Sequence, residues 1–238
     1  MVDELLHFSR TPREAEVEGA KLDETKRGRA PKPLEPFEKA RLHTPATAKD
    51  VAAAIRRVWG AGYMKGPASQ DAVCVLLGQW GVETFKGVDG QACHNWNLAG
   101  IKTARPESEW HYRMQTPDDM PEKEAEAYVA AQKRLRPGNP LAFFDTDKNL
   151  AGPGKLRVWQ IACFRSSESL ESGAKLFIGT VAHFAAALPF MHAGQPEAYA
   201  NALSDQVMGR NKGWFNAPSS AYQHGIRVRF DKYKAAGI

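Results

Sequence analysis

Glu83 is the side chain of this sequence with the clearest capacity for chemistry. It ends an apolar, predicted helical segment that starts after Ser69, and it is followed by a turn. Positions 76, 80 and 83 have the i, i+4, i+7 spacing, so Glu83 projects from the same side as Leu76 and Trp80. An apolar setting disfavours the ionised carboxylate and raises its pKa, as a general acid requires. The alternative is a helix-end glutamate bonded to a backbone amide or to Lys86.

The elements that must position Glu83 are mainly helical. Capping residues and apolar periodicity predict five helices. The helices begin after Thr47, after Ser69, at Ser169, at Gly194-Gln195-Pro196 and at Ser219 or Ser220. The third is expected to run through Leu188 and to stop at Pro189, and the last to reach Tyr233.

Two stretches have the alternation of β-strands. Residues 110–114 alternate apolar with polar side chains, and residues 156–164 form a second strand-like run. We expect a hairpin that is interrupted by an insertion at 117–154, which contains a charged helical piece at 121–135. The predicted fold class is therefore α+β, mainly α, with a small β-hairpin and an inserted helical segment.

The N-terminal part of the chain has a different composition. Residues 10–42 are rich in charges and prolines and have no apolar period, which indicates a flexible tail or a strap. We predict an N-terminal extension at 1–43 and one domain at 44–238. The first residues lack a basic start and an apolar core, so no secretory signal is predicted, and no run is long enough to span a bilayer.

Bulk properties and minor motifs exclude several functions. The formal charge of +5 suits an anionic polymer but selects none, and basic groups such as Arg56 and Arg57 fit the polar faces of helices. We therefore predict no nucleic-acid partner. Three cysteines show neither zinc spacing nor a disulfide framework, although a Cys93–Cys163 pair is conceivable. No metal or cofactor is predicted.

Four motifs in order carry a resemblance to a known family. Residues 79–84 read Q-W-G-V-E-T, residues 95–102 read N-W-N-L-A-G-I-K, and residues 164–172 read F-R-S-S-E-S-L-E-S. With the run from Gly213 to Tyr222, they resemble the glucosaminidase branch of the lysozyme-like superfamily, glycoside hydrolase family 73 and its relatives. The chain departs from that pattern at Ser167, where the family has tyrosine, and in the last motif, where Trp214 replaces tyrosine and Ala217 replaces aspartate.

The resemblance implies a fold, a reaction and a site. The fold would be lysozyme-like, and the reaction would be hydrolysis of β-1,4 glycosidic bonds in bacterial cell-wall peptidoglycan, with Glu83 as general acid and no cofactor. Asn97 would lie beside the cleft, and Trp214 and Tyr222 would form its far wall, since aromatic rings pack on the C–H faces of sugars. Asn95 is a further sugar-binding candidate. The alternatives are that the tryptophans anchor the core and that Asn95 closes a turn.

The sequence identifies the second catalytic carboxylate less clearly than it identifies Glu83. In relatives it comes from the β-hairpin or a flexible lobe, where it activates water. Glu109 and Glu107 are the leading candidates here, and either can equally be a solvated surface charge. A separation of about 5 Å from Glu83 would predict retention of configuration, and about 6.5–9.5 Å inversion.

Three functions are consistent with these residues. The first is a bacteriolytic glucosaminidase or muramidase-like hydrolase, and the second is a lytic transglycosylase, which also uses one glutamate. The third is a non-catalytic module that binds peptidoglycan or has a structural role. Without a visible signal peptide, we expect synthesis in the cytoplasm and delivery to the cell wall, in the periplasm or outside. A phage particle or secretion machine that docks the N-terminal extension would be a suitable carrier.

Overall fold

The computed structural model describes residues 34, 36–85, 87–103, 105–135, 142–145, 151–204, 214 and 219–238. The chain forms two compact units. The helical unit comprises Leu42–Ile101 and Arg165–Ile238, and the sheet unit comprises Lys102–Phe164 with the segment that ends at Arg41.

Helices account for most of the regular structure in the described residues. In chain order they are α1 (Ala48–Val58), α2 (Gln70–Glu83), α3 (Glu122–Leu135), α4 (Leu170–Val181), α5 (Leu188–His192), α6 (Pro196–Ala202) and α7 (Ser219–Ala235), with a π-helix at Trp59–Tyr63. The strands are β1 (His111–Pro121), β2 (Ala142–Phe144) and β3 (Lys155–Arg165). The predicted fold class, α+β and mainly α with a small β element, is confirmed.

Helix α2 is the central element of the helical unit. The Ser69 side chain caps it by accepting a hydrogen bond from the Ala72 backbone N–H at 3.2 Å, as the sequence predicts. Every residue from Ala72 to Gly81 is buried, because α2 packs against α1, α5, α6 and α7. A helix that is apolar on all sides needs such enclosure.

The last helix lies against α2 at close range. A Cβ atom at Gly78 would stand 2.8 Å from the Ile226 carbonyl oxygen, so only glycine allows this approach of the backbones. Further along α2, Glu83 bonds Tyr222, which precedes Ile226 in α7. The two helices therefore run in opposite directions, and the first turn of α7 reaches the end of α2.

The remaining helix predictions are confirmed in part. Thr47 caps α1, and helices begin at Pro196 and Ser219 as expected. The prediction of one helix from Ser169 to Pro189 is wrong, because α4 ends at Val181 and turns follow it. Pro189 lies in the first turn of α5, where a backbone N–H has no partner within the helix and proline is well tolerated.

The sheet unit contains a three-stranded sheet with the order β1-β3-β2. The predicted pairing of the two strand regions and the predicted helix in the insertion are confirmed. Strand β1 continues to Pro121, beyond the expected start of the insertion, and it tolerates Pro117 because it is an edge strand. Strand β2 was not predicted; it pairs antiparallel with β3, with Ala142 opposite Gln160.

Part of the N-terminal segment belongs to the sheet unit. The Lys39 N–H donates to the His111 carbonyl at 2.8 Å, and the His111 N–H donates to the Phe37 carbonyl at 3.0 Å. Residues 1–33 of the predicted extension lie outside the described residues, so the boundary at 43/44 stays a prediction. The thiol of Cys93 is free, so the conceivable Cys93–Cys163 disulfide is not formed.

Among the described helices, none combines the length and the apolar character that crossing a bilayer requires.

Candidate active site

The carboxyl group of Glu83 stands at the C-terminal end of α2 and is half-buried. Its Oε1 atom accepts two hydrogen bonds, from the Trp214 indole Nε1 at 3.0 Å and from the Tyr222 hydroxyl at 2.6 Å. The structure thus brings together three residues that the sequence analysis had placed in one site. It joins them through a single carboxyl oxygen.

Burial raises the pKa of Glu83 above the usual range of a glutamate, and the hydrogen bonds from Tyr222 and Trp214 offset part of this rise. The position of Glu83 at the end of α2 also raises its pKa, since the C-terminal end of a helix carries a partial negative charge. The protonated form of Glu83 is therefore favoured to higher pH than in an exposed glutamate. A carboxyl group of this kind can donate a proton near neutral pH.

The two oxygens of the Glu83 carboxyl are not equivalent. An indole N–H can only donate, so Trp214 requires Oε1 to act as acceptor. Burial raises the pKa of Tyr222 well above its usual range, and the nearby Glu83 charge raises it further, so this hydroxyl also keeps its proton and donates. With both donors on Oε1, the proton of the neutral acid belongs on Oε2.

Trp214 is held by the aromatic core of the helical unit. Its ring packs edge-on to Phe177 with centroids 6.1 Å apart and tilted to Phe184 at 5.6 Å. Its backbone N–H donates to the Leu203 carbonyl at 2.7 Å. Trp214 therefore packs against the core and also contacts Glu83, and its place in the wall of a sugar-binding cleft stays a prediction.

The turn after Glu83 is fixed by Thr84, which is buried. The Thr84 hydroxyl donates to the Trp80 carbonyl at 2.6 Å and accepts from the Gly90 N–H at 3.0 Å. Both contacts close the end of α2 and hold the backbone next to the acid. A rigid backbone at this point is what a positioned proton donor needs.

Asp89 ties the same turn to α7. Its side chain, 8% exposed, accepts from Arg229 Nε at 2.7 Å, from Lys232 Nζ at 3.2 Å and from the Tyr233 hydroxyl at 2.5 Å. Burial acts to raise the pKa of Asp89, but these donors outweigh it and the pKa is lowered. Sequence analysis did not identify Asp89, because its partners come more than a hundred residues later.

Asn97 and Asn95 are engaged with the protein itself. The Asn97 amide donates to the Ile101 carbonyl at 2.8 Å and to the Arg165 carbonyl at 3.0 Å, and it accepts from the Ile101 N–H. Asn95 accepts from the Leu42 N–H at 2.7 Å and has a positive φ of 49°. Both side chains are buried, so these contacts give the two asparagines a role in shaping the loop that follows α2.

The two candidates for a second carboxylate lie in the sheet unit. Glu109 accepts hydrogen bonds from the Thr103 hydroxyl and from Arg105 Nη2, the latter at 3.0 Å. Glu107 is exposed. Their role in catalysis stays a prediction.

Sequence analysis missed two buried polar residues behind the acid. Gln79 and Tyr199 are fully buried, and the Tyr199 hydroxyl donates to Gln79 Oε1 at 2.5 Å. A glutamine four residues before Glu83, on the same helix face, is the signal that could have found the first of them. Tyr199 carries no such signal.

Within the described part of the chain, no three histidine, cysteine or acidic side chains converge as a metal site would require.

Comparison with known proteins gives one structural likeness. No protein-family model matches the chain, and no curated protein has significant sequence similarity to it. The chain is similar to the solved structure of a C-terminally truncated glycoside hydrolase domain from Salmonella typhimurium FlgJ. The identity is 14% and the TM-score 0.43, over 79% of this chain and 99% of that one. At these values the geometry of the site, and not the likeness, must support a function.

Proposed function

We propose that the protein is a peptidoglycan hydrolase that cleaves β-1,4 glycosidic bonds of the glycan strand. One observation carries this proposal: the half-buried Glu83 carboxyl, its pKa raised by burial, accepts two hydrogen bonds through one oxygen. The motifs at 79–84, 95–102 and 164–172 support the choice of substrate class. Glu83 is the general acid.

The chemistry follows from the two unequal oxygens of Glu83. The proton on Oε2 moves to the glycosidic oxygen as the bond from that oxygen to the anomeric carbon breaks, and Glu83 becomes a carboxylate. Water then adds its oxygen to the anomeric carbon, and the proton that it releases passes to the second carboxylate, for which Glu109 and Glu107 are the candidates. Hydrogen bonds to an anion are stronger than those to a neutral acid, so Trp214 and Tyr222 stabilise the group as negative charge develops on it.

A lytic transglycosylase is the second candidate, because its reaction needs one acid. The structure provides Glu83 with its two donors, an indole and a phenol, and such an acid is sufficient for that reaction. A reaction that closes an anhydro-sugar ring consumes no water and can proceed with one glutamate. In a hydrolase, Glu109 or Glu107 would take the second role.

Digestion of purified sacculi by the wild type and by Glu83→Gln tests the proposal. We expect the wild type to release soluble muropeptides and Glu83→Gln to lose at least about a hundredfold of that rate, because the amide cannot donate the proton. Mass spectrometry of the products separates the two reactions: reducing ends identify a hydrolase and anhydro ends a transglycosylase.

Glu171→Gln is the matched control. Glu171 is an exposed glutamate of α4 that pairs with Arg57 at 3.7 Å, so its substitution should leave digestion unchanged. If sacculi bind the wild type and Glu83→Gln equally and neither protein cuts them, the protein is a non-catalytic module and the proposal is wrong.

A further inference from the structure

Two aromatic side chains of the sheet unit are exposed in contact with each other, and the proposed reaction uses neither. The rings of Phe37 and Trp110 meet edge to face, with centroids 5.3 Å apart. Phe37 is 37% exposed and Trp110 is 48% exposed. This pair forms the aromatic platform. Burial in a core does not reward its arrangement, so the arrangement requires another explanation.

The backbone at Phe37 is held in an unfavourable conformation. Its φ is 62°, in the left-handed region that glycine adopts freely and a bulky side chain rarely occupies. Two backbone hydrogen bonds to His111 impose it, one from the His111 N–H to the Phe37 carbonyl at 3.0 Å and one from the Lys39 N–H to the His111 carbonyl at 2.8 Å. Strain of this kind is concentrated at sites that hold ligands. Glycine would remove the strain, so the presence of phenylalanine indicates a use for its ring.

The same segment adds a cation to the aromatic platform. Lys39 Nζ lies over the Trp110 ring, 4.8 Å from its centroid. Glu38 pairs with Arg113 of β1 at 3.8 Å, and both of these side chains are largely buried. Glu38 thus ties the segment to β1, and its two neighbours in sequence, Phe37 and Lys39, both lie beside Trp110.

The aromatic platform has the size and the chemistry of a surface that binds carbohydrate. From the exposed fractions, the two side chains present about 200 Å² of surface together. A stable protein interface needs about 800 Å² from each partner, so this area is too small for one. It is sufficient for the C–H face of a sugar ring to pack on an aromatic ring. The positive charge of Lys39 favours a polymer that carries carboxylates over a neutral one.

We propose that Phe37, Trp110 and Lys39 form a binding site for an acidic polysaccharide on the sheet unit. The two rings stack on its sugars, and the ammonium group attracts its carboxylates. The glycan strand of peptidoglycan has both features, because peptides that carry carboxylates are attached to its sugars. In naming this polymer the inference rests on the proposed function. Binding here does not involve the Glu83 proton, so it can be measured in a protein that does not cut.

Binding of the Glu83→Gln protein to purified sacculi and to chitin tests the inference. Chitin is a neutral β-1,4 polymer of N-acetylglucosamine, whereas sacculi carry carboxylates. Adding Trp110→Ala to this parent should raise the Kd for both polymers about tenfold, and Trp110→Phe should restore most of the binding because it keeps a ring. Lys39→Gln should weaken binding to sacculi about threefold at low salt and leave binding to chitin unchanged.

Phe37→Gly separates a binding role from a structural one. Glycine relieves the strain at position 37 and removes the ring. We expect the Kd for sacculi to rise about fivefold, in a protein whose Tm stays within a few degrees of the parent because relief of strain offsets the lost ring contact. An unchanged Kd would show that the ring only fastens the segment to β1, and the inference would be wrong.

Phe190→Ala is the matched control, because Phe190 is also 37% exposed but belongs to α5 of the helical unit. It should leave both Kd values unchanged. The inference is wrong if folded Trp110→Ala and Phe37→Gly bind both polymers like the parent, or if Phe190→Ala weakens binding equally. It is also wrong if sedimentation shows a dimer of the parent that Trp110→Ala dissociates, since a second copy would then occupy the aromatic platform. A wild type that cuts no sacculi, but loses binding in Trp110→Ala, would refute the enzyme proposal and support this inference.

Discussion

The Tyr222 hydroxyl donates to Glu83 Oε1 across 2.6 Å, and the two residues are 139 positions apart in the chain. The contact joins the first turn of α7 to the last residue of α2. It turns an acid at a helix end into a group whose two oxygens have different roles. The consequences concern activity, stability and the packing that makes the contact possible.

Trp214→Phe should move the activity profile to higher pH. The substitution keeps an aromatic ring against Phe177 and Phe184 but removes the Nε1 donor at 3.0 Å from Glu83. Without this donor the carboxylate is less stable, so the pKa of Glu83 rises and the alkaline limb of activity follows it. We expect kcat/KM for sacculus digestion to fall about tenfold, as for the loss of one charge-assisted hydrogen bond.

Trp159→Phe is the control for Trp214→Phe. Trp159 Nε1 donates to Asp145 at 2.5 Å within the sheet unit, so the substitution removes the same kind of bond in the unit that does not contain Glu83. An unchanged alkaline limb in Trp214→Phe, or an equal shift in Trp159→Phe, would contradict the role of Trp214.

Glu83→Gln should be more stable than the wild type at neutral and alkaline pH. Because the pKa of Glu83 is raised in the folded state, the folded protein binds more protons there than the unfolded chain. The free energy of unfolding of the wild type therefore falls as pH rises from the unfolded pKa through the folded pKa. Glutamine does not titrate and avoids this loss, which amounts to about 1.4 kcal/mol per unit of pKa difference.

Thermal melts of wild type and Glu83→Gln at a series of pH values measure this effect. The Tm difference should be near zero below the unfolded pKa and should grow in favour of Glu83→Gln above it. A difference that is constant with pH would show that the Glu83 pKa is not raised.

Asp89→Asn should destabilise the fold at neutral pH by about 3 kcal/mol, because it leaves Arg229 without its buried anionic partner. The pKa of Asp89 is lowered in the folded state, so its contribution is present above the unfolded pKa and is lost as pH falls through the folded pKa. Urea unfolding at pH 7 and at a series of lower pH values follows this loss. Asp231→Asn, which changes an exposed aspartate of α7, should cost far less.

Gly78→Ala should destabilise the protein although alanine favours helices. The added Cβ would meet the Ile226 carbonyl oxygen at 2.8 Å, and backbone must move to relieve the contact. We expect a net loss of about 1–3 kcal/mol in urea unfolding. The matched control is Gly179→Ala in α4, where a Cβ meets nothing within 4 Å and stability should rise by up to about 1 kcal/mol. Equal effects in both variants would refute the close approach of α2 and α7.

Local interactions made several features predictable from the sequence. The caps at Thr47 and Ser69 bond backbone atoms three residues away, so residue type and spacing are enough to place the starts of α1 and α2. The i, i+4, i+7 spacing of a helix likewise puts Glu83 on an apolar side of α2. By contrast, Pro189 was misjudged because proline both ends helices and begins them, and the turns before it decide which.

The sequence by itself therefore determined an acid at the end of a buried helix, and it nominated Trp214 and Tyr222 through a family resemblance. Only the tertiary structure decided that both donate to one oxygen of Glu83, that Gln79 and Tyr199 lie behind them, and that Asn97 and Asn95 bond the backbone. The physical reason is the separation of the interacting residues along the chain. A helix repeats every few residues and leaves a period in the sequence, whereas a hydrogen bond across 139 residues leaves none.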